Sequence, residues 1–352
     1  MIPEVVFSWD IRINGDIGNI VFSWDVPGMG ISGRCPSQLE FDIFDPSDSL
    51  IDSLATPDFS VTLSCPELNI ESQPFFIDSR SVPNHVCHVV CYDRLSRVDV
   101  PFSTSHDWNV TPKMTSTQVL LDICRICGFE GSSVSGAYGG LQYIDFTRTE
   151  IEGKTCGEIL DVISTAMVGV WTSVGSGLNL LCLGASGSTP VSCGENRTEI
   201  EYLGRTAVIG LVMKNSTKGE TYEFGSSSGN GYVVQAESGY ITKELAEIIW
   251  QRVQGYQYKA WDCKKALVEN FPFYGPIQFV FGGGGGSLES PLFPRSVRCD
   301  IDSTGIYFSG GRPAVDEWNY KSKLEREKIG IGKAVGNTSV SESGRVNFIN
   351  LN

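Results

Sequence analysis

The sequence predicts a mainly β protein with an α+β insertion, and three observations carry that expectation. Short segments rich in Val, Ile, Thr, Phe and Tyr recur between Gly, Ser, Asn or Pro, the pattern of strands and their turns. Between residues 106 and 190 the apolar period becomes helical. Strand-like segments then resume. The expected architecture is two small tube-like β-barrels flanking an inserted α/β module, with a C-terminal helical and extended tail. Boundaries are expected at 1–105 for the first barrel, 106–190 for the insertion, 191–312 for the second barrel with one helix, and 313–352 for a charged helix and tail.

Composition narrows the partners. A chain of 352 residues, 41% of them hydrophobic, suits two or three domains with ordinary cores. Its formal net charge of −14 disfavours nucleic acid as a stable partner, because duplex binding needs a basic footprint. A like-charged wall still lets DNA slide past, although solubility alone is the simpler reading of the charge. Met1-Ile-Pro-Glu4 lacks the basic start and apolar region of a secretory leader, and no run approaches the roughly 18 apolar residues of a membrane span. Synthesis and assembly in a cytoplasm are expected. The 11 cysteines are irregularly spaced among Val, Ile and Leu, and read as small core hydrophobes.

The elements follow in order. Val6-Phe-Ser-Trp-Asp10 returns as Val21-Phe-Ser-Trp-Asp25, with Asn14-Gly15 between. Asn-Gly supplies the two φ > 0 positions of a type I′ turn, so the pair reads as a hairpin with matched Phe and Trp side chains. Leu39, Phe41 and Ile43 alternate with Glu40 and Asp42, a strand with one wet face that ends in the turn Asp45-Pro-Ser-Asp48. Strands over Phe59–Ser64, Asn69–Ile77 and His85–Tyr92 complete a small barrel or sandwich.

After Asp99, Pro101, Pro112 and many Ser and Thr residues mark a boundary. A helix opens at the capping box Thr115-Ser-Thr-Gln118 and closes at Gly128, with Val119, Leu120, Ile123, Ile126 and Cys127 mostly on one face. Gly131–Gly140 is loose, and Leu141–Phe146 reads as a strand. A polar run from Thr147 to Lys154 leads into a second box, Thr155-Cys-Gly-Glu158. Its helix is buried along Ile159, Leu160, Ile163 and Met167. Val168–Ser173 and Leu178–Leu183 then form a hairpin closing on Gly175-Ser-Gly177.

Strands are expected again at Glu199–Leu203, Ala207–Asn215, Gly219–Phe224 and Tyr232–Gln235. Thr242 caps a helix running to Val253, with Ile241 and Ala246 as a hydrophobic staple and Gly255 after its end. Gln257–Cys263, Ile277–Phe281, Val297–Ile301 and Gly305–Phe308 fit the second barrel, and Gly282–Gly286 is a flexible hairpin tip. From Ala314 to Lys328, Lys321, Lys323, Arg326 and Lys328 alternate with Glu317, Glu325 and Glu327, a solvated helix before a polar tail to Asn352.

Catalytic and metal readings fail on spacing. In a strand, Cys87 and Cys91 lie about 13 Å apart at ~3.3 Å per residue, and His88 faces away, so zinc bonds of about 2 Å cannot gather them. Cys124-Arg-Ile-Cys127 lies near a helix end without a second CxxC or histidine pair, and packs the core. Asp42, Asp45, Asp48 and Asp52 lack the central Gly and closing Glu of a calcium loop, and read as turn and helix caps. Gly153-Lys-Thr155 echoes a phosphate-binding loop without its upstream Gly, and no Lys-Ser or Lys-Thr follows Gly282–Gly286. No G-x-S-x-G element occurs, and three histidines leave few members for a triad. A carboxylate pair is not readable among 41 acidic residues. No catalytic, cofactor-binding or metal-ligating residue is assigned, and no cofactor is expected.

The order of parts resembles a known family. A barrel is followed by a module bearing Thr115-Ser-Thr-Gln-Val-Leu-Leu-Asp-Ile-Cys124. Gly153-Lys-Thr-Cys-Gly-Glu-Ile-Leu-Asp-Val-Ile163 comes next, then the hairpin, then a second barrel carrying the helix Ile241–Arg252. This resembles the baseplate or tail hub proteins of tailed bacteriophages, related to spike-hub proteins of contractile injection systems and type VI secretion. Residues 155–164 are similar to a T-x-R-x-x-L-x-x-I-A segment of Gram-positive phage tail proteins. Gly157 stands where Arg is common, and Ser164 or Thr165 where Ala is common. The resemblance covers roughly residues 1–315.

It implies a non-enzymatic virion tail protein. Three copies with two barrels each would form a pseudo-sixfold ring joining the hexameric tail tube to a trimeric spike or fibre. Implied partners are further copies of the chain, the tube or distal tail protein, the spike or fibre and the tape-measure protein. DNA is met only in transit through the lumen, and no membrane insertion is implied. With its end at Asn352, no C-terminal peptidase or lysozyme-like domain is expected. An alternative is a tail-tip receptor or carbohydrate-binding module, motivated by Phe7, Trp9, Phe22 and Trp24. A cell-wall hydrolase is a third, without a positive sign in the sequence.

Overall fold

Apolar alternation sets the first strands of the computed structural model. It describes residues 4–7, 17–25, 32–55, 60–65, 70–130, 139–184, 189–193, 200–226, 231–266, 277–281, 296–300, 305–309 and 319–320. β1 (Glu4–Phe7), β2 (Ile17–Asp25) and β3 (Gln38–Phe44) precede a short helix, α1 (Asp48–Ser53). β4 (Ser60–Cys65), β5 (Ile70–Ser81) and β6 (Val86–Asp93) follow. β3 buries Leu39, Phe41 and Ile43, and β6 buries Cys87, Val89 and Cys91, so adjacent strands share one apolar face. Phe22 and Phe75 meet edge to face there, with ring centroids 6.0 Å apart. Burying each such large side chain contributes about 1.5–3 kcal/mol. A one-residue slip of β3 would put Glu40 and Asp42 inside instead, which fixes the register.

The hairpin expected from the two Val-Phe-Ser-Trp-Asp copies does not form. β1 pairs with β4, while β2 lies between β3 and a strand from far along the chain, so neither edge of β2 is left for β1. Asn14-Gly15 lies outside the described residues. The turn after β3 runs into α1, where Ser47 accepts the Leu50 N–H at 3.3 Å.

The helical module comprises β7 (Lys113–Thr115), α2 (Ser116–Cys127), β8 (Asp145–Thr147), α3 (Arg148–Ile151), α4 (Cys156–Met167), β9 (Gly169–Val174) and β10 (Gly177–Cys182). Both expected capping boxes are present, Thr115 with Gln118 and Thr155 with Glu158. α2 ends at Gly128 with φ 74°, the left-handed conformation glycine adopts at no steric cost. The strand expected over Leu141–Phe146 is shorter. The Leu141 carbonyl accepts from Ser116 Oγ (2.7 Å) and Ile144 N–H (3.0 Å), which turns the chain before β8 begins.

The remaining elements are β11 (Thr189–Cys193), β12 (Ile200–Lys214), β13 (Thr221–Gly225), β14 (Tyr232–Glu237), α5 (Lys243–Val253), β15 (Gln257–Ala266), β16 (Ile277–Phe281), β17 (Ser296–Asp300), β18 (Gly305–Ser309) and β19 (Asn319–Tyr320). The two strands expected at 199–203 and 207–215 are one long β12, with an irregular register between Tyr202 and Gly204. Asn319–Tyr320 is strand rather than part of the expected charged helix over 314–328. It adds in parallel to β14, whose open backbone edge supplies donors and acceptors. The rest of that expected helix lies outside the described residues.

Pairing makes the protein mainly β, with one curled half-barrel sheet in the order β1-β4-β5-β6-β3-β2-β17-β18-β15-β12-β14-β19, and β13 added to β12. The strand sets expected as two barrels are joined edge to edge at β2 and β17. Among the described residues, no pairing closes either set upon itself. An apolar cluster of described residues runs from Leu95 to Val253 and unites α2, α4, β9 and β10 with β12, β14 and α5. It therefore crosses residue 190.

Candidate functional site: the seam between sheet and helical module

α4 creates the site's central problem. Ten of its twelve residues are buried, including the polar residues Asp161, Ser164 and Thr165. A buried carboxylate is costly unless paired and hydrogen-bonded. The partner is Arg34, in the loop before β3. Its Nε donates to Asp161 Oδ1 at 3.1 Å, its Nη2 to Asp161 Oδ2 at 3.2 Å, and its Nη1 to Asp99 Oδ1 at 2.9 Å. The side chains of Arg34 and Asp161 are only 5% and 2% exposed, so this forked pair lies away from water. Burial opposes the Arg34 charge, but Asp161 and then Asp99 outweigh it and raise its pKa.

Gly157 makes room for the clamp. A Cβ there would lie 2.2 Å from Asp99 Oδ1 and 2.4 Å from Arg34 Nη1. A guanidinium from residue 34 occupies the space above it. The surrounding loop is stitched down as well. Gly33 N–H donates to Ser164 Oγ (2.8 Å), Cys35 N–H to the Trp171 carbonyl (2.8 Å), and Trp171 N–H to the Gly33 carbonyl (2.9 Å). Buried Trp171 donates its indole N–H to the Leu160 carbonyl at 2.7 Å.

Two further arginines hold helix ends, where carbonyls lack intrahelical partners. Arg94 Nη1 donates to the Cys127 carbonyl at 3.2 Å, closing α2. Arg94 and Arg97 both lie over the Phe76 ring, 5.3 and 5.0 Å from its centroid, where the ring's negative face offsets their charges. Arg252 of α5 donates to the Met167 carbonyl at the end of α4. Val168 follows at φ 51°, a left-handed conformation uncommon for a β-branched residue, and its N–H reaches the Ser164 and Thr165 carbonyls. Asp93 closes the corner of β6. Its fully buried carboxylate accepts the Ser37 and Leu95 N–H groups at 2.8 and 2.9 Å. Burial pushes its pKa up to about 7, against the pull of those bonds.

The residues weighed for chemistry lie elsewhere. Cys87 and Cys91 face the core, while His88 points outward to Asp42 at 2.8 Å, so they do not converge. Asp42 also accepts from Asn19, and Asp48 begins α1. Cys124 is buried and Cys127 half-buried. Thr155 of the Gly153-Lys-Thr155 echo accepts the Glu158 N–H at 3.1 Å and serves as a helix cap. Among the described residues, no group of three or more His, Cys, Asp or Glu could hold a metal ion. Phe22 is fully buried against Phe75, which removes it from the aromatic set proposed to stack on sugars. The side chains of Phe7, Trp9 and Trp24 and the run Gly282–Gly286 lie outside the described residues.

The clamp itself was not read from sequence. Arg34 and Asp161 are 127 residues apart, and no local spacing relates them. A third helix start did carry a signal. Glu150 accepts from the Thr147 backbone N–H at 2.6 Å and from its hydroxyl at 2.7 Å, the same Thr-x-x-Glu spacing as at Thr155. Chemically, the seam can orient and brace. Its cations are paired with carboxylates, carbonyls and an aromatic face.

No protein-family model matches the chain, and no curated protein matches it in sequence. Solved structures do. The 43 kDa tail protein of prophage MuSo2 from Shewanella oneidensis is 12% identical with a TM-score of 0.50, over 88% of this chain and 99% of that one. Prophage tail protein gp18 from Listeria monocytogenes EGD-e is 10% identical with a TM-score of 0.49, over 85% and 90%. A tail protein from Neisseria meningitidis MC58 is 8% identical with a TM-score of 0.46, over 91% and 100%. At such identities the likeness is one of fold, and the Shewanella protein, at a TM-score of 0.50, bears on the fold of this chain.

Proposed function

We propose that this chain is a structural, non-enzymatic component of a phage tail tip or baseplate. In this reading it is a homotrimeric hub between a hexameric tail tube and a trimeric spike or fibre. The observation that carries the reading is the fold shared with the MuSo2 prophage tail protein along nearly the whole of both chains. Two physical features support it. Among the described residues the long sheet ends at β1 and β19 without a further strand, and in an assembly protein such edges pair with neighbouring subunits. The arginine seam ties the helical module to that sheet, as a ring under mechanical stress requires.

The strand sets within 1–105 and 191–312 are then two tube-like barrel units, completed around a threefold axis so that three chains imitate six. Residues 106–190 form the inserted module, and 313–352 reach the spike or an adjacent subunit. The ring lines a channel whose acidic wall, on a chain of net charge −14, lets DNA pass without binding. The tape-measure protein and the tube or distal tail protein are the remaining partners, in a virion tail or bacteriocin particle assembled in the host cytoplasm. Light scattering and negative-stain imaging of the full chain with tube protein test the reading. A trimeric ring with a central hole is expected; a monomer that stays monomeric with tube protein present defeats it.

A further inference from the structure

β5 is longer than the strand beside it. It runs over 12 residues and β4 over 6. β4 covers one edge of β5 from Ile70 to Phe76, and β6 covers the other from Phe75 to Ser81. Among the described residues, Ile77–Ser81 therefore has a strand on one side alone. An edge left in this way presents backbone N–H and C=O groups in a row, a template for a further strand. The register of β5 on β6 also shifts between Ile77 and Ser79, with Asp78 as the extra residue. Such a bulge bends the strand and re-aims its side chains.

A cavity of about 680 Å³ lies beside this stretch. Ile51 and Leu54, in and just after α1, line it together with Ile77 and Val82 of the β5 side. Val82 is 43% exposed, so the cavity offers apolar surface that the described residues leave uncovered. Its charged lining is Asp78, Arg80 and Arg97, two cations against one carboxylate on a chain of net charge −14. Arg97 is held over the Phe76 ring at 5.0 Å, with Arg94 over the same ring at 5.3 Å. Arg80 is exposed and makes no ion pair with any described residue.

We propose that this groove takes an extended, acidic peptide segment of a partner chain, which adds as a strand to Ile77–Ser81 in line with β4. Three observations select that occupant. The uncovered backbone edge calls for an extended chain, because a helix has no N–H or C=O groups free to pair with it. The apolar lining calls for Val-, Ile- or Tyr-like side chains at alternate positions, the period of a strand. The two arginines call for Asp or Glu at the positions between, since like charges against Arg80 and Arg97 would oppose docking. At ~3.3 Å per residue, Ile77–Ser81 offers an edge about 17 Å long, so roughly five residues of the segment pair. The groove stands independently of the hub reading. Only the source of the segment, another tail protein, rests on that reading.

The test screens the full chain on an immobilised array of eight-residue peptides in which Val, Ile, Thr or Tyr alternates with Asp, Glu, Ser or Lys. The strongest binder is then remeasured in solution by fluorescence anisotropy. Binders are expected to carry Asp or Glu, and Arg80→Glu, at an exposed position, should weaken the chosen peptide about tenfold. The same peptide N-methylated at alternate residues should not bind, because it has lost its ladder donors. Hydrogen exchange should show that the peptide protects the amides of 77–81 that face away from β6. Absence of any binder overturns the proposal, as does a preference for Lys peptides or undiminished binding of the N-methylated form. Protection of those amides without peptide overturns it too: at every protein concentration the chain itself covers the edge, and if protection grows with concentration a second copy does. A chain that binds the peptide yet forms no ring upholds the groove and counts against the hub alone.

Discussion

The helical module and the long sheet are specified in opposite ways. In the module, Thr115 meets Gln118, Thr147 meets Glu150 and Thr155 meets Glu158, each within four consecutive residues. The hairpin β9–β10 closes on neighbouring residues. In the sheet, Phe22 is opposite Cys299 and Asp25 opposite Ser296, so the central junction joins strands from nearly opposite ends of the chain. Local contacts cost little loop-closure entropy, whereas the β2–β17 junction forms only after most of the chain is gathered. The module's helix starts are thus set locally, while its core, shared with β12, β14 and α5, and the sheet's central junction depend on distant parts of the chain.

Cutting the tie between the two regions is expected to have the largest effect. Arg34→Ala takes the guanidinium away from the buried Asp161 carboxylate, and should destabilise the protein by about 3–5 kcal/mol in urea unfolding. Adding Asp161→Ala should recover part of that loss, because the stranded charge is then gone. A small effect for Arg34→Ala alone would mean that the regions do not rely on the clamp.

The sheet corner should show itself through pH. The Asp93 carboxyl titrates at about 7 when folded and near 4 when unfolded, so the folded state binds the extra proton between those values. Its contribution is therefore fully present below about pH 4, declines as pH rises towards 7 and is flat above, a total of at most about 4 kcal/mol. Urea unfolding across this range should show the slope, and Asp93→Asn should flatten it whatever its absolute stability. A slope unchanged by the substitution would assign it to other groups.

The module's local signals carry the smallest effects. Thr115→Ala and Thr155→Ala should each cost about 1 kcal/mol, and the two should add, since each cap serves its own helix. Hydrogen exchange should show the loss confined to the first turn of the affected helix. Losses spread through the sheet would break the contrast between a locally and a globally specified region.

The same contrast separates what could be read from residues alone from what could not. Sequence determined the helices at Thr115, Thr155 and Thr242, the glycine ending α2 and the buried face of β3, because those signals act within a few residues. The Thr147–Glu150 start carries the same spacing inside a polar run. Tertiary structure alone decided that β1 joins β4 rather than β2, that Asn319–Tyr320 is strand, and that Arg34 reaches Asp161 over Gly157. Strand partners compete for the same backbone edges. A buried charge is matched by whichever opposite charge the fold brings near, and neither choice leaves a mark in local spacing.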